Sequence, residues 1–406
     1  MAESKKSFFN NRFVQVIMVS GTLLQLGIWI RNFAILLFVM EQTDNNPIYV
    51  SLISIAEFAP IFIFSFIGGT FADRWRPKLT MIWSDFLSAV SVFVVLLAII
   101  YGSWQAVFFV TLISAILSQF SQPSAMKLFK VHVPPEQLQM GMALYQTLMA
   151  IFMIIGPGLG TYIYHLFGIT VSVGIMGACF LLSALVLFLL PKDKVDKNTE
   201  EPKFWKELKD GFQYVFKRKT LRLLGFNFAF AGLAVGLIQP LMVFVVIEQL
   251  GLPKEHVSWL LMTNGAAMLI GGGIVMAISK KIAPERLLFI GMLVCGLAIM
   301  GVGFSTNLYL TLLLYFIDGL FFPCIHVGIN TLILQTTEEK FVGRVNGVLN
   351  PMFMGMMVVT MSIAGFLKSI FSIPTIYSFA ALFFLLGLLC VIPLLKKDTN
   401  LVKSSS

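Results

Sequence analysis

The sequence consists largely of twelve apolar runs of roughly 20 residues each, separated by short polar turns. An α-helix rises 1.5 Å per residue, so about 20 apolar residues are enough to cross a hydrocarbon core roughly 30 Å thick. Each run therefore predicts one membrane-spanning helix. In chain order the predicted spans are 13–40, 48–71, 79–101, 104–126, 141–167, 169–190, 221–247, 257–278, 287–304, 308–334, 345–367 and 374–395.

The composition indicates a polytopic membrane protein and argues against several other classes. Of the 406 residues, 58% are hydrophobic and 12% are charged, whereas soluble domains carry about 25% charged residues. The sequence contains no nucleophile motif and no phosphate-binding glycine loop followed by Lys-Ser/Thr, so we expect neither an enzyme nor a cofactor nor use of ATP. The cysteines lie inside apolar runs without paired spacing, which predicts neither disulfides nor a zinc site; they are Cys179, Cys295, Cys324 and Cys390.

The distribution of lysine and arginine predicts the orientation of the chain. If the N-terminus is cytoplasmic, 26 of the 29 basic residues fall on the cytoplasmic side, only Lys254 and Lys368 fall outside, and Arg31 lies within a span. Such a bias is typical of cytoplasmic loops, so both termini are expected inside a cell membrane. The net charge of +9 then lies beside anionic lipid head groups and does not imply nucleic-acid binding.

The polar stretch between the sixth and seventh spans divides the chain into two halves. We expect a six-helix bundle over residues 1–190, a cytoplasmic linker over 191–220, and a second six-helix bundle with a short tail over 221–406. Apolar residues recur at helical spacing in the linker, which predicts an amphipathic helix on the membrane surface; they are Phe204, Leu208, Phe212, Val215 and Phe216.

An internal repeat supports this division. Gly68-Gly69 in the second span recurs as Gly271-Gly272 in the eighth, and Pro123 in the fourth recurs as Pro323 in the tenth, both about 200 residues later. Paired glycines also favour close helix contacts in lipid. Two bundles in the same orientation are a known plan of secondary transporters. Chance similarity is the alternative, because glycine and proline are common in membrane helices.

Four ionisable residues lie inside the spans, where each costs about 2.5 to 3.5 kcal/mol to insert; they are Arg31, Glu57, Asp85 and Asp318. Arg31 and Glu57 each lie about nine residues, or roughly 13 Å, from the same outer side of the membrane. They are therefore predicted to pair, either as a static ion pair or as a proton-controlled switch.

Asp318 lies near the middle of the tenth span, with Phe322 and His326 one and two turns further on. We expect it to bind a proton or a cation, the alternative being a neutral, hydrogen-bonded acid. His326 is more simply a packed residue than a proton relay. Asp85 lies close to the cytoplasmic end of the third span, where a structural role beside Arg74 is expected.

Polar and methionine side chains suggest the wall of a substrate cavity. Gln25, Trp29 and Asn32 share one face of the first span. A stripe of two asparagines and three methionines follows the eleventh span and comprises Asn346, Asn350, Met354, Met357 and Met361. Flexible methionines suit ligands of different shapes, but methionine also fills gaps in ordinary cores.

The sequence resembles the major facilitator superfamily. The turn after the second span is similar to the loop signature Gly-x-x-x-Asp-Arg-x-Gly-Arg-Lys through Gly69, Asp73, Arg74 and Lys78. It departs from that signature at Arg76 and Pro77. The fifth span carries Gly156, Pro157 and Gly160, similar to the antiporter signature Gly-Pro-x-x-Gly-Gly, with Thr161 in place of the last glycine. Residues 122–144 and 343–347 resemble the macrolide-efflux and siderophore-exporter branch.

The resemblance implies twelve helices in two six-helix bundles related by a pseudo-two-fold axis. It implies that the charged turn forms a cytoplasmic latch, together with Asp85; the alternative is a charge cluster that only fixes the topology. It also implies a bend of the fifth helix at the glycine–proline motif, for which easier packing is the alternative. Because the tenth helix lines the cavity in this superfamily, Phe322 and His326 are expected to belong to the substrate cavity.

The expected function is export of amphipathic organic compounds or drugs in exchange for protons, by alternating access. A dedicated exporter of a siderophore, an antibiotic or a lysophospholipid is the first alternative, and a non-transporting receptor on the same scaffold is the second. The expected partners are the lipid bilayer, protons and a small amphipathic substrate, with the chain acting as a monomer.

Overall fold

The computed structural model describes residues 11–74, 76–190, 204–279 and 281–404. Within these ranges the side chains at 65–74, 122–123, 130–131, 135–136, 139, 204–207, 340 and 396–404 are not described. The described part is helical and contains no strand. Its contacts divide it into two compact units, the first formed by Met1–Asn45 with Ala56–Pro202 and the second by Asn46–Ile55 with Lys203–Ser406.

Unit 1 is built from long helices that correspond to the first six predicted spans. They are α1 (Arg12–Gln42), α2 (Pro47–Arg74), α3 (Pro77–Ile100), α4 (Ala106–His132) and α5 (Pro135–Leu187). The first turns of α2, up to Ile55, belong to unit 2. The start of α1 is capped by the Asn11 side chain, which accepts a hydrogen bond from the Phe13 amide at 2.9 Å. Proline at the first position of α3 and α5 suits a helix start, because its missing N–H has no helical partner there.

Helix α5 contains both the fifth and the sixth predicted spans. Its backbone leaves the helical region at Gly168, with φ 69° and ψ −176°. Glycine adopts such angles readily, whereas other residues are strained there. Eleven helices of the described chain are long and apolar enough to cross a membrane. With α5 counted as two arms on either side of Gly168, the twelve predicted spans and the all-α membrane fold are confirmed.

Unit 2 contains the helix of the linker and the last six spans. These helices are α6 (Phe204–Lys217), α7 (Lys219–Ile238), α8 (Val257–Ile278), α9 (Pro284–Phe304), α10 (Leu308–Thr336), α11 (Val342–Ile370) and α12 (Ile373–Ser404). The seventh span is less regular than predicted, because α7 ends just before Pro240. The chain continues as a short turn, Met242–Phe244, and a π-helical segment, Val245–Gln249. Proline cannot donate the next helical hydrogen bond and clashes with the preceding turn, which explains the interruption.

Close helix contacts depend on glycine in both units. In unit 1, a Cβ at Gly160 of α5 would lie 2.6 Å from the Trp29 carbonyl oxygen of α1. In unit 2, a Cβ at Gly271 of α8 would overlap the Leu320 carbonyl of α10, whereas Gly272 faces open space. One glycine of the predicted pair is therefore at a helix interface, as small residues in membranes commonly are. The surroundings of Gly68 and Gly69 lie outside the described part.

The linker helix α6 packs against the start of α11. Val215 on α6 is buried, whereas Phe212 and Phe216 are exposed and stack on each other at 6.2 Å between ring centroids. Tyr214 stacks on Phe341 at 4.2 Å. Some apolar residues of α6 therefore pack inside unit 2, and others form an exposed apolar face. An exposed apolar face of this kind is typical of a helix that lies on a membrane surface.

Candidate functional site

The first group of candidate residues is a charged network on α1, α2 and α4 in unit 1. Arg31 is 4% exposed. Its guanidinium donates to the Ser114 hydroxyl and, through Nε and a terminal nitrogen, to the Asn32 side-chain oxygen at 3.0 and 2.8 Å. The Asn32 amide nitrogen in turn donates to Glu57 Oε1 at 2.7 Å. Arg31 and Glu57 are 3.6 Å apart at their nearest nitrogen and oxygen, so the predicted pairing of these two residues is present.

Asn32 is central to this network because it contacts both charges. Its oxygen accepts from Arg31 and its nitrogen donates to Glu57. A buried charge is expensive unless it is paired and hydrogen-bonded, and here each charge has both kinds of partner. Protonation of Glu57 would remove the negative charge from this group while leaving the guanidinium in place.

A cavity of about 200 Å³ lies beside the network, and every residue that lines it belongs to unit 1. Arg31 and Glu57 line one end of it. Gln25, a predicted cavity residue, also lines it and donates to the Met149 sulfur at 2.8 Å. Trp29 instead packs on α5, where a Cβ at Gly156 would overlap its indole ring.

Asp85 on α3 is buried among hydroxyl groups, with 2% of its surface exposed. Its carboxylate accepts from Ser183 Oγ at 2.6 Å and from Ser121 Oγ at 3.4 Å. Ser183 also lies 2.9 Å from Ser20 on α1. The interactions of Asp85 therefore join α1, α3, α4 and α5, while its predicted neighbour Arg74 has a side chain outside the described part.

Asp318 on α10 is a partly exposed acid of unit 2. Its Oδ2 accepts from the Asn264 amide of α8 at 3.0 Å, and Asn264 donates to the Tyr315 carbonyl at 3.1 Å. A Cβ at Gly319 would overlap the Asn264 carbonyl, so the two helices touch at this level. The structure does not bring His326 to Asp318, because two helical turns, roughly 12 Å, separate them. His326 is exposed and packs on Phe322, with ring centroids 5.0 Å apart.

The residues predicted along α11 divide into two groups. Asn350 is exposed, and Asn346 and Met354 are partly exposed. Met357 and Met361 are buried in the interior of unit 2, with 3% and 0% exposure. The stripe is thus available to a ligand only in its first half, and the other two methionines fill the core.

The turn between α2 and α3 is short, since α2 ends at Arg74 and α3 begins at Pro77. Just beyond the end of α5, the Lys78 ammonium group donates to the Phe188 carbonyl at 3.0 Å and to the Leu190 carbonyl. The other predicted latch residues, Gly69, Asp73 and Arg74, have side chains outside the described part.

The bend predicted at Gly156, Pro157 and Gly160 stays a prediction, but the helix is not interrupted there. The backbone stays helical through Pro157, and the interruption of α5 lies eleven residues later at Gly168. One proline removes a single backbone hydrogen bond, which a helix held on several sides tolerates. The glycines instead form the surface on which Trp29 packs.

Several residues that contact these acids were not predicted from the sequence. Ser121 and Ser183 contact Asp85, but serine in a helix commonly bonds to its own backbone, as Ser118 does with the Ala115 carbonyl. Asn264 offers a clearer signal, because it is an amide in the middle of an apolar span. Among the side chains that the structure describes, no group of three or more His, Cys, Asp or Glu residues is placed to hold a metal ion.

Comparison with known proteins agrees with this architecture. The chain is 25% identical over 376 residues to the MFS-type transporter YkuC of Bacillus subtilis, covering 89% of this chain and 86% of YkuC. It is 23% identical over 342 residues to macrolide efflux protein A of Streptococcus pyogenes, covering 81% of each. The crystal structure of the nucleoside transporter NupG has the same fold, with a TM-score of 0.79, 12% identity, and coverage of 94% of this chain and 99% of NupG.

The family model described as Major Facilitator Superfamily matches residues 17–234 and 224–405, which together cover most of the chain. Proteins of this superfamily are transporters and not enzymes, and they generally need no cofactor. The twelve-span chain therefore belongs to the Major Facilitator Superfamily.

Proposed function

We propose that this chain is a proton-coupled secondary active exporter of amphipathic organic compounds, working by alternating access. The observation that carries the proposal is Glu57, an acid that lies in the wall of a membrane-embedded cavity and is bound to Arg31 through Asn32. The likeness to macrolide efflux protein A supports export of a large amphipathic compound.

Glu57 is suited to couple a proton to a conformational change. When it is ionised, it neutralises Arg31 and accepts the Asn32 amide. When it binds a proton, Arg31 loses its counter-charge, so the two protonation states favour different arrangements of α1 and α2. A ligand shifts such an equilibrium only through a difference in its interactions with the two states, and a proton at Glu57 supplies one.

Asp318 is the corresponding candidate in unit 2. It is partly exposed within the tenth span and has one amide donor, Asn264, on its carboxylate. We propose that it binds a proton or the cationic group of a substrate, and that Phe322, Asn346, Asn350 and Met354 supply softer contacts for the cargo. Flexible methionine and aromatic side chains adapt to ligands of different shape.

The remaining features of the proposal concern the whole chain. We propose a location in the cell membrane with both termini cytoplasmic, a monomeric chain, and the proton gradient as the energy source without a cofactor. The turn with Gly69, Asp73, Arg74 and Lys78 would act as a latch, biasing a conformational equilibrium by about 0.3 to 1 kcal/mol if its carboxylate meets a helix N-terminus.

The test is transport into proteoliposomes containing the purified full-length chain under an imposed pH gradient. We expect gradient-driven movement of a labelled macrolide, and at least a tenfold lower rate for Glu57→Gln and for Asp318→Asn. Matched controls are Glu339→Gln and Asp44→Asn, two exposed acids, which should transport at the wild-type rate. Asp44 has a positive φ of 49° that asparagine tolerates.

The outcomes separate the alternative functions. Movement of several unrelated dyes besides the macrolide would indicate a multidrug exporter, and movement of one compound class a dedicated exporter. If a pH gradient drives no compound in a broad panel, proton-coupled export is wrong and the receptor alternative gains support.

A further inference from the structure

The cavity in unit 1 extends along α1. Along α1 its lining runs from Ile17 to Arg31, a distance of roughly 21 Å at 1.5 Å per residue. Its volume of about 200 Å³ is enough for several waters, because one water needs only about 10 to 15 Å³ of such space. Pockets for drug-sized ligands are usually about 300 to 1,000 Å³ and compact. The dimensions therefore suit a column of water better than a bulky cargo.

Polar groups occur at successive depths along the cavity, between apolar residues such as Leu24 and Ile28. Beyond Arg31 and Glu57, the wall contains Gln25, Ser118 and Gln119, and then Ser20, Ser121 and Tyr145. A buried water needs two to four polar partners, and these side chains provide them at successive depths. The cavity is thus able to hold water along its length.

Asp85 lies directly behind the inner end of this cavity. Ser121, a lining residue, donates to its carboxylate at 3.4 Å. A second connection runs from the lining residue Ser20 to Ser183 at 2.9 Å, and from Ser183 to Asp85 at 2.6 Å. Two hydroxyl bridges therefore join the cavity wall to one buried carboxyl group.

The surroundings of Asp85 are compatible with both of its protonation states. Among the described side chains its partners are hydroxyls: Ser121 on α4, and Ser183 on α5. The titratable group that faces it is Tyr145 on α5. No lysine or arginine of the described part forms an ion pair with it. A hydroxyl group can rotate to donate to a carboxylate or to accept from a carboxylic acid, so both forms of Asp85 keep their hydrogen bonds.

We propose that this cavity is a water-filled proton path from Glu57 to Asp85, with Asp85 as the proton acceptor at its inner end. The proposal rests on proton coupling as the function of the chain. A proton leaves the Glu57 carboxyl group and passes along hydrogen-bonded waters to Asp85. Glu57 becomes a carboxylate next to Arg31 while Asp85 becomes a carboxylic acid, and no electron is transferred.

The principal test compares Asp85→Asn with the wild type in the same proteoliposomes. We expect Asp85→Asn to lower macrolide transport driven by a pH gradient at least tenfold and to flatten its dependence on internal pH. Exchange of labelled for unlabelled macrolide at equal pH should stay within twofold of the wild type, because it needs no net proton movement. Asp85→Glu should restore at least a third of gradient-driven transport.

A second variant tests the path without changing an acid. Ser118→Leu places a bulky apolar side chain in the cavity wall, and we expect it to slow proton entry, followed with a trapped pH-sensitive dye, at least fivefold. Ser362→Leu is the matched control, since Ser362 is exposed and bonds only to the Val358 carbonyl of its own helix. This variant keeps the test decisive if Asp85→Asn does not fold.

The two proposals fail in different ways. If Glu57→Gln abolishes gradient-driven transport while Asp85→Asn or Ser118→Leu leaves it within twofold of the wild type, the proton path is wrong and proton-coupled export stands. Loss of both exchange and gradient-driven transport in a folded Asp85→Asn protein would show a structural role and also contradict the path. Absence of any response of the wild type to a pH gradient would overturn both.

Discussion

At the scale of single residues, the network around Arg31 shows how a membrane interior tolerates charge. The guanidinium is satisfied by Ser114, Asn32 and Glu57 together. Removing one member of a buried pair leaves the other charge uncompensated, which usually costs about 3 to 5 kcal/mol, whereas replacing both members is often nearly neutral. The network can therefore be dissected by paired substitutions.

We predict that Glu57→Leu lowers the midpoint of thermal unfolding in detergent by several degrees, and that Arg31→Leu in the same chain restores most of the loss. The reason is that the double variant buries no unpaired charge. Differential scanning fluorimetry of the wild type, both single variants and the double variant measures this. Equal destabilisation by single and double variants would show that the two charges do not interact.

Spacing along the chain predicts the depth of a residue in the membrane but not its contacts. Arg31 and Glu57 could be paired from the sequence because both were counted from the same end of adjacent spans, which fixes their depth. The contacts of Asp85 with Ser121 and Ser183, or of Asp318 with Asn264, depend on the rotation and neighbours of each helix. Single-sequence patterns leave these undetermined, since the spans are apolar on nearly all sides.

For the helices, the sequence predicts some interruptions of the backbone and misses others. The boundary between the fifth and sixth spans was predicted at residue 168, where the structure has Gly168 with a positive φ. The interruption near Pro240 was not predicted, because the apolar pattern continues past it. The pattern detects where a chain leaves the membrane but not where a helix changes its hydrogen bonding within it.

We predict that Gly160→Val destabilises unit 1 by about 1 to 3 kcal/mol, the usual range for overpacking. A Cβ at this position would lie 2.6 Å from the Trp29 carbonyl and 2.9 Å from Phe33 Cβ, so α1 and α5 would have to separate. Gly174→Val on the second arm of α5 is the matched control, because nothing lies within 4 Å of its Cβ position. Comparable unfolding temperatures for both variants would argue against a close contact at Gly160.

For the chain as a whole, the distribution of basic residues predicts which loops face the cytoplasm, and this prediction can be tested without a transport assay. With 26 of 29 basic residues on one side, cytoplasmic loops are strongly favoured for that side. Lys254 lies in the short segment before α8, and Lys281 lies in the segment between α8 and α9. Because α8 is long enough to cross the membrane, these two lysines should be on opposite sides.

We therefore predict that, in a chain whose four native cysteines are replaced by alanine, Lys254→Cys reacts with a membrane-impermeant maleimide added to intact cells, whereas Lys281→Cys reacts only after permeabilisation. The native cysteines must be removed, since Cys390 is only partly buried. Full labelling of both variants in permeabilised cells is the control for reactivity. Labelling of Lys281→Cys but not of Lys254→Cys in intact cells would reverse the orientation, and Asp85 would then lie at the outer end of the proposed proton path.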